Sequence, residues 1–224
     1  MSADEVRFME GFKIGEMSVD PGTTLLAEGQ ESPWIYTVLE GQAVQYKSLS
    51  TGRRQIINFV LPGDFLGLHA AMMGEMKHSI EARTRMVLCV FERARVQEVF
   101  HGQPARAQAL AWIAAVESHL LGETLVSVGQ RNAGQRIAWA FLRLWRRLEA
   151  MGLERDGMVP LPFRQQDLAE ALGLSLVHTN KTLARFRQAG LCDWSGGKLR
   201  IGNLAALTGI ALVDRDDPEQ RPLM

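Results

Sequence analysis

QQDLAEALGLSLVHTNKTLARFRQ, residues 165–188, decides how this chain folds at its C-terminal end. Leu168 and Leu172 begin an apolar stripe at helical spacing. Gly173 follows, where the end of a helix favours a residue that can adopt a positive φ. Ser175 then supplies a side-chain oxygen that can cap another helix. The stretch therefore predicts two short helices joined by a tight turn.

The second of these helices is predicted to have two unlike faces. Thr179, Leu183 and Phe186 repeat at helical spacing and are expected to face inward. The opposite face carries small, hydrogen-bonding and basic side chains, which suit the major groove of DNA. A helical hairpin packed inside a domain is the alternative interpretation. The outward residues are Leu176, Val177, Asn180, Lys181, Ala184 and Arg185.

The charge distribution supports the DNA interpretation although the formal net charge is zero. Residues 1–128 hold 11 basic and 15 acidic residues, whereas residues 129–213 hold 12 and 6. The tail, residues 214–224, holds 2 basic and 4 acidic residues. The basic excess coincides with the helix pair, as contact with DNA phosphates requires.

Composition places the chain among globular proteins with a normal core, since 46% of its 224 residues are hydrophobic and 22% are charged. No run approaches 18 uninterrupted apolar residues, so the sequence predicts no membrane span. The acidic start, MSADEVRFMEG, lacks an apolar signal core, which indicates a cytoplasmic location. The two cysteines, Cys89 and Cys192, are expected to be buried reduced thiols.

The first hundred residues predict β-structure. Short runs of aliphatic, aromatic and Thr residues alternate with Gly or Pro-Gly, which predicts a small antiparallel roll or barrel without intervening helices. RARVQEVF (93–100) predicts a short helix that closes the roll. The predicted strands are TTLLAE (23–28), WIYTVLEG (34–41), QAVQYKSLS (42–50), QIINFVLPGDF (55–65) and RMVLCVFE (85–92).

Residues 104–128 predict a long helix with only three formal charges, at Arg106, Glu117 and Glu123. A helix apolar on nearly every face needs partners on nearly every face, yet at roughly 36 Å it is too long for so small a roll. We expect one side to pack on the roll and the other on the same helix of a second subunit; burial within a monomer is the alternative. The expected dimer seam is Ala109, Ile113, Val116, Leu120 and Ser127.

The remaining residues complete a winged helix–turn–helix. Residues 133–152 predict a strongly amphipathic helix, and residues 191–203 predict a hairpin about Ser195-Gly196-Gly197 that carries Lys198 and Arg200. The predicted domains are a β-roll sensory domain (1–103), a dimerisation helix (104–131), a winged helix–turn–helix DNA-binding domain (132–213) and a tail (214–224).

This order of elements resembles the Crp/Fnr family of bacterial transcription regulators over nearly the whole chain. The resemblance is carried by Trp34–Gly41, Pro62–Gly67, Gly134–Ala138 and the helix pair. It implies an α+β fold with an N-terminal antiparallel β-roll of the cyclic-nucleotide-binding kind, a long dimerisation helix and a C-terminal winged helix–turn–helix. It implies a cytoplasmic regulator, not an enzyme, that binds a palindromic promoter site as a homodimer, with RNA polymerase as a further partner.

The chain departs from the family's cyclic-AMP cassette, which has a Gly-Glu pair and then an Arg-Ser pair. Here Leu68 follows Gly67, and the segment Met76-Lys77-His78-Ser79 contains no Arg-Ser pair. A buried phosphodiester would lack its partners, so we expect no tight binding of cyclic AMP. No cysteine precedes Cys89, so a four-thiolate iron–sulfur cluster is not expected within one subunit.

Other signals remain open at this point. Haem-binding members of the family make His69, His78 and His119 candidate axial ligands. Another small effector is a further possibility, and a vestigial pocket would leave control to protein level or to thiol chemistry at one of the cysteines. The candidate effector pocket comprises Leu68, His69, Met76, Lys77 and His119.

The resemblance places base contacts on the exposed N-terminal part of the second helix. Where cyclic-AMP-type members carry Arg, Glu and Arg, this chain has Leu176, Val177 and Lys181. Lys181 can donate to guanine, Asn180 can pair with adenine, and the two apolar side chains can contact a thymine methyl. The expected phosphate-contacting residues are Gln165, Ser175, His178 and Lys198.

Two functions from other classes are weaker interpretations. A cupin-like enzyme needs a His-x-His pair and a Glu as metal ligands, and the five histidines include no such pair. A protein-interaction module with a degenerate helix–turn–helix would bind DNA weakly and leave no footprint.

Overall fold

A computed structural model describes residues 3–213, with side chains from residue 6, so the acidic tail lies outside the described residues. The chain forms two compact units: most of the first lies before residue 121, and most of the second lies from Leu121 onward. The first unit begins with a helix, α1 (Ala3–Phe12), that the sequence did not predict. Its strands are β1 (Lys13–Val19), β2 (Thr24–Leu26), β3 (Trp34–Glu40), β4 (Ala43–Ser48), β5 (Arg54–Val60), β6 (Phe65–Leu66), β7 (Ser79–Ala82) and β8 (Met86–Glu92).

The strands form two four-stranded sheets, in the orders β1-β8-β3-β6 and β2-β7-β4-β5. The side chains of β8 alternate between two apolar clusters, one on each face of its sheet. Met86, Leu88 and Val90 face a core cluster to which both sheets contribute, whereas Cys89 and Phe91 face the opposite side. A second apolar cluster on that side is covered by α1, by α3 (Val96–Gly102) and by the start of α4 (Pro104–Gln130). The predicted antiparallel roll is confirmed.

Several short elements depart from the sequence prediction. The helix α2 (Leu68–Met73) interrupts the expected run of strands, and at six residues it is too short to show helical periodicity. The strand predicted over 55–65 ends at Val60, because a turn at Pro62-Gly63 separates it from β6. The helix predicted over 93–100 is a 3₁₀ turn at Arg93–Arg95 that leads into α3.

The second unit continues from α4 into seven further elements. They are α5 (Ala133–Ala150), β9 (Met158–Pro160), α6 (Gln165–Leu172), α7 (Leu176–Gln188), β10 (Cys192–Ser195), β11 (Lys198–Ile201) and α8 (Leu204–Ala211).

The helix α5 begins at a reciprocal cap. The side chain of Asn132 accepts from the backbone N–H of Gln135 at 3.1 Å, and Gln135 accepts from the Asn132 N–H at 2.9 Å. The helix then buries the apolar face that the sequence predicts, with Ile137, Phe141 and Leu148 fully enclosed. Here α8, which the sequence did not predict, packs against it.

The predicted hairpin is part of a larger sheet. β10 and β11 pair as expected, with Ser195 opposite Lys198 and Cys192 opposite Ile201. The third strand, β9, pairs with β11 and gives the order β10-β11-β9. At three residues, MVP, this strand is too short for its alternation to be recognised in the sequence.

Gly41 provides a test of the roll, because it adopts φ +89° where its hydrogen faces the backbone of β8. A Cβ there would lie 2.8 Å from Cα of Met86 and closer still to the carbonyl oxygen of Arg85. Gly52→Ala is the matched control, since Gly52 also has a positive φ, +79°, but faces open space. We expect Gly52→Ala to lower the free energy of unfolding by about 1–2 kcal/mol and Gly41→Ala by a further 1–3 kcal/mol or so, measured by urea unfolding. Equal losses in the two variants would contradict the predicted clash.

Candidate nucleic-acid interface

The turn between α6 and α7 fixes how the second helix is presented. Gly173 ends α6 in the left-handed conformation, at φ 63° and ψ 36°. Two residues later, the hydroxyl of Ser175 accepts from the backbone N–H of His178 at 3.2 Å and caps α7. Both local features match the sequence prediction. The N-terminus of α7 is therefore held by its own cap, with its first turn exposed.

The inner face of α7 differs slightly from the prediction. Thr179 and Phe186 are buried as expected, but the third buried position is Thr182, whereas Leu183 is half-buried. Both threonine hydroxyls return a hydrogen bond to the helix: Thr179 to the carbonyl of Ser175 at 3.1 Å and Thr182 to that of His178 at 2.9 Å. Their buried hydroxyls are satisfied within the helix, so Thr can occupy positions where an apolar residue was expected.

The residues predicted to contact DNA all lie at the surface of this unit. Val177 is the clearest case, because 79% of this apolar side chain is exposed. Leu176 beside it is also exposed, and adjacent apolar side chains such as these can contact a thymine methyl group. The structure places all eight predicted residues in exposed positions: Gln165, Ser175, Leu176, Val177, His178, Asn180, Lys181 and Lys198.

A cleft of about 130 Å³ lies along α7, between this helix and the hairpin β10–β11. Its lining brings together Gln165 and Asn180, two residues predicted to contact DNA from different helices. Apolar side chains form most of the remaining lining. The cleft also exposes a residue that the sequence analysis overlooked, Arg187. Arg187 follows Asn180 by seven residues, which is two helical turns, so the sequence could have placed both on the same face of the helix. The other lining residues are Leu183, Ala184, Cys192 and Trp194.

The base of α6 is organised by a buried carboxylate. Asp167 is fully buried and accepts from the backbone N–H of Arg164 at 2.9 Å, which satisfies the first turn of α6. The guanidinium of Arg164 lies 3.1 Å from the same carboxylate. At the other end of α6, Arg136 of α5 donates to the carbonyl of Leu172 at 2.9 Å. Both ends of α6 are thereby fixed within the unit.

The thiol of Cys192 is a poor candidate for redox control. Burial, assisted by the neighbouring Asp193, raises its pKa to about 12. The reactive form of cysteine is the thiolate, which is scarcely populated at neutral pH with such a pKa. Cys89, by contrast, is half-buried in β8, so only Cys192 matches the expected burial; both cysteines are free thiols.

In the roll, the segment that the resemblance matches to the cyclic-AMP cassette forms hydrogen bonds with other residues of the roll. His78 is buried, with Nδ1 accepting from the side-chain amide of Gln45 at 3.0 Å. Its ring packs edge-to-face on His69, 4.8 Å between centroids, which leaves no space for a haem between these two rings. The hydroxyl of Ser79 accepts from the backbone N–H of Glu28 at 3.0 Å.

The remaining residues of the predicted effector pocket do not converge on one site. Met76 is buried in the core between the sheets, whereas Leu68 packs on the second apolar cluster. Lys77 pairs with Glu75 at 2.5 Å, and His119 is exposed on α4. Among the described residues, no three His, Cys, Asp or Glu side chains are grouped as a metal site.

The helix α4 has an exposed uncharged face, and this face does not include all the residues that were predicted to form the dimer seam. Ala109 and Ser127 are 3% and 0% exposed within their own chain, so they cannot form an exposed contact. Ile113, Val116 and Leu120 are half-buried, and their role in a seam stays a prediction. From Ala111 onward, the exposed positions that follow a strict four–three spacing are Ala111, Ala115, Ser118, Gly122, Leu125 and Gly129.

By length and composition alone, α4 passes the criteria for a membrane-spanning helix, which the sequence analysis did not expect. Only 11% of its most apolar window is buried in the chain. Such a helix needs an apolar partner, and a second protein helix serves as well as lipid.

Comparison with known proteins identifies the family. Residues 16–103 match the cyclic nucleotide-binding domain family, and residues 135–210 match the Crp-like helix-turn-helix domain family. The chain is 35% identical over 191 residues to the nitrogen fixation regulation protein FixK of Bradyrhizobium diazoefficiens, covering 85% of this chain and 79% of the relative. The chain belongs to the Crp/Fnr family.

Further relatives support the assignment. The transcriptional activatory protein AadR of Rhodopseudomonas palustris is 32% identical over 175 residues, 76% of this chain and 70% of the relative. The structure of FixK2 from Bradyrhizobium japonicum superposes with a TM-score of 0.80 at 26% identity, over 89% of this chain and 98% of that one. This Crp/Fnr protein is a transcription regulator with a DNA-binding helix–turn–helix.

Lys181 gives the sharpest test of base contact. Because its ammonium group can donate to guanine O6 or N7, we expect Lys181→Ala to cost about 1–3 kcal/mol on the preferred site and to relax selectivity at one base pair. Lys198→Ala is the contrast, since a phosphate contact should weaken all sequences alike. Selection from a randomised duplex library, with affinities measured by anisotropy, checks both. Equal weakening of all sequences by Lys181→Ala would make Lys181 a phosphate contact.

His78 gives a test of the roll by pH. Burial, with a smaller contribution from His69, lowers the pKa of His78 from 6.5 to about 4. As the pH falls, His78 in the unfolded chain is protonated near pH 6.5, whereas His78 in the folded chain is protonated only near pH 4. The free energy of unfolding therefore decreases as the pH is lowered through this interval, by roughly 3 kcal/mol in total. His78→Gln should flatten the difference in urea unfolding between pH 7 and pH 4 or so. The same acid sensitivity in the variant and the wild type would contradict it.

Proposed function

We propose that this Crp/Fnr protein binds a palindromic promoter site as a homodimer, with the two copies of α7 one DNA turn apart, roughly 34 Å. The observation that carries the proposal is the exposed first turn of α7, capped by Ser175 and followed by Asn180 and Lys181. Residues 129–213 carry an excess of six positive charges, which suits a DNA surface. The proposed domains keep the predicted limits, 1–103, 104–131 and 132–213.

The DNA half-site should differ from the one recognised by cyclic-AMP-type members of the family, which carry Arg, Glu and Arg at the base-contacting positions. Leu176 and Val177 offer only apolar contact, which favours a thymine methyl group. Asn180 pairs best with adenine and Lys181 with guanine. We therefore expect a half-site richer in A·T pairs than one recognised through two arginines.

Dimerisation is proposed through α4. Its exposed face is uncharged between Ala111 and Gly129 and consists mainly of small residues, which allow two helices to approach closely. The four–three spacing of this face is the spacing of a coiled-coil seam. The pairing also covers Leu121, Leu125 and Val126, which are 49%, 74% and 48% exposed in one chain.

The roll is proposed to act without cyclic AMP. At the positions where the family resemblance puts the cassette, His78 and Ser79 already have partners within the roll, and the segment Met76-Lys77-His78-Ser79 contains no Arg. The buried ring of His78 is uncharged at neutral pH, so it supplies no charge to a cyclic phosphate. The absorption spectrum and native mass of freshly purified protein test for haem or another retained effector.

The similar proteins suggest how the chain acts on transcription and where in the cell it does so. The names of FixK and AadR describe a nitrogen fixation regulation protein and a transcriptional activatory protein. We propose by this similarity that the chain activates transcription, in the cytoplasm, and contacts RNA polymerase when bound to its promoter.

The dimer is tested at Leu125. We expect Leu125→Lys to convert the dimer to a monomer, because two ammonium groups would be buried against each other at the seam. Gln130→Lys is the matched control, since Gln130 is exposed on α4 but lies outside the four–three spacing of that face. Sedimentation velocity and a gel shift on the selected palindrome measure both properties. A variant that remains dimeric, or a monomer that binds the palindrome with wild-type affinity, would contradict the proposal.

A further inference from the structure

Arg187, which lines the cleft along α7, forms an ion pair that joins this helix to the hairpin. Arg187 Nε donates to Asp193 Oδ1 at 2.6 Å, and Asp193 Oδ2 accepts from the hydroxyl of Ser195 at 3.0 Å. The two side chains of the pair are 60% and 47% exposed. Ion pairs this exposed contribute little to the stability of the fold. Removing this pair should therefore leave the fold intact.

Arg187 lies on the same side of α7 as residues that are proposed to contact DNA. It is two helical turns after Asn180 and lines the same cleft as Asn180 and Gln165. Between them stands Ala184, whose short side chain leaves the cleft open. A long guanidinium side chain at this position can reach a backbone phosphate that passes along the cleft.

Asp193 is unusual for its surroundings. It is the one acidic residue in the sequence from 171 to 213, which holds five basic residues. In the hairpin it stands directly opposite Arg200, on the strand that also carries Lys198. A carboxylate at this place opposes the approach of phosphate and neutralises the nearest guanidinium.

We propose that Asp193 is a positioning residue that withholds Arg187 from the DNA backbone. The carboxylate ties the guanidinium to the hairpin, so that one available phosphate contact is not made. Phosphate contacts strengthen binding to every sequence alike, so the missing contact leaves a larger share of affinity to the base contacts of α7. This inference rests on the proposed DNA-contacting surface of α7.

The salt dependence of DNA binding tests it. The full chain is titrated with a fluorescein-labelled duplex of arbitrary sequence, about 30 base pairs long, in about 50 to 200 mM NaCl. Asp193→Asn should steepen the slope of log K against log[NaCl] by about 0.9, the value of one phosphate contact. Affinity at the lowest salt should rise roughly 3- to 10-fold, and the gain should shrink about 3.5-fold across the range.

Matched variants separate a released arginine from a simple change of charge. Asp156→Asn makes the same charge change at an exposed turn before β9, outside the cleft, and should leave the slope unchanged. Adding Arg187→Gln to Asp193→Asn should restore the wild-type slope, whereas adding Arg187→Lys should keep the steeper one. Arg187→Gln alone should leave the wild-type slope unchanged, because Arg187 makes no phosphate contact there.

Three results would overturn the inference. Equal slopes for Asp193→Asn and Asp156→Asn would show that no contact is gained. A steeper slope that persists without Arg187 would show that another group makes the contact. A shallower slope for Arg187→Gln alone would show that Arg187 already binds phosphate. If the wild-type protein binds the duplex but the variants give one of these three results, the inference is wrong and the proposed function stands. If the wild-type protein binds no duplex at low salt, the inference and the proposed function are both wrong.

Discussion

The presentation of α7 depends on one constraint, the reversal of the chain between Gly173 and Ser175. A residue in the left-handed conformation ends α6, and a hydroxyl cap starts α7 two residues later. Because the turn is this short, the two helices must pack on each other, and their apolar stripes meet. The remaining face of α7 is left exposed at its N-terminal turn. The proposed DNA surface is the part of this helix that does not pack against the rest of the unit.

The two units contribute in different ways to a regulator. In the C-terminal unit the described residues form an exposed, basic surface around a capped helix. In the roll, by contrast, His78 is bonded to the side chain of Gln45 and Ser79 to the backbone of Glu28. Buried polar groups that already have partners gain little from a ligand. We therefore propose that the chain keeps the family's output surface in an altered form and lacks the family's phosphate partners.

The helix α4 shows how composition and structure complement each other. Its scarcity of charge was visible in the sequence and predicted a helix with partners on several sides. Which residues face the chain's own interior was not predictable, because a helix apolar all round has no periodicity to mark its faces. Burial then assigned Ala109 and Ser127 to the interior and left a face of small residues exposed.

The sequence by itself determined the family, the winged helix–turn–helix and the outward residues of α7, because strong local signals encode them: a Gly at a helix end, a Ser cap and a clear apolar stripe. It did not reveal α2 or β9, which are too short to show a period, or the burial of Thr182, whose hydroxyl is satisfied inside the helix. Only the tertiary structure brought Arg187 to Asp193 and His78 to Gln45. Those pairs join elements that are separate in sequence, and no local propensity specifies such contacts.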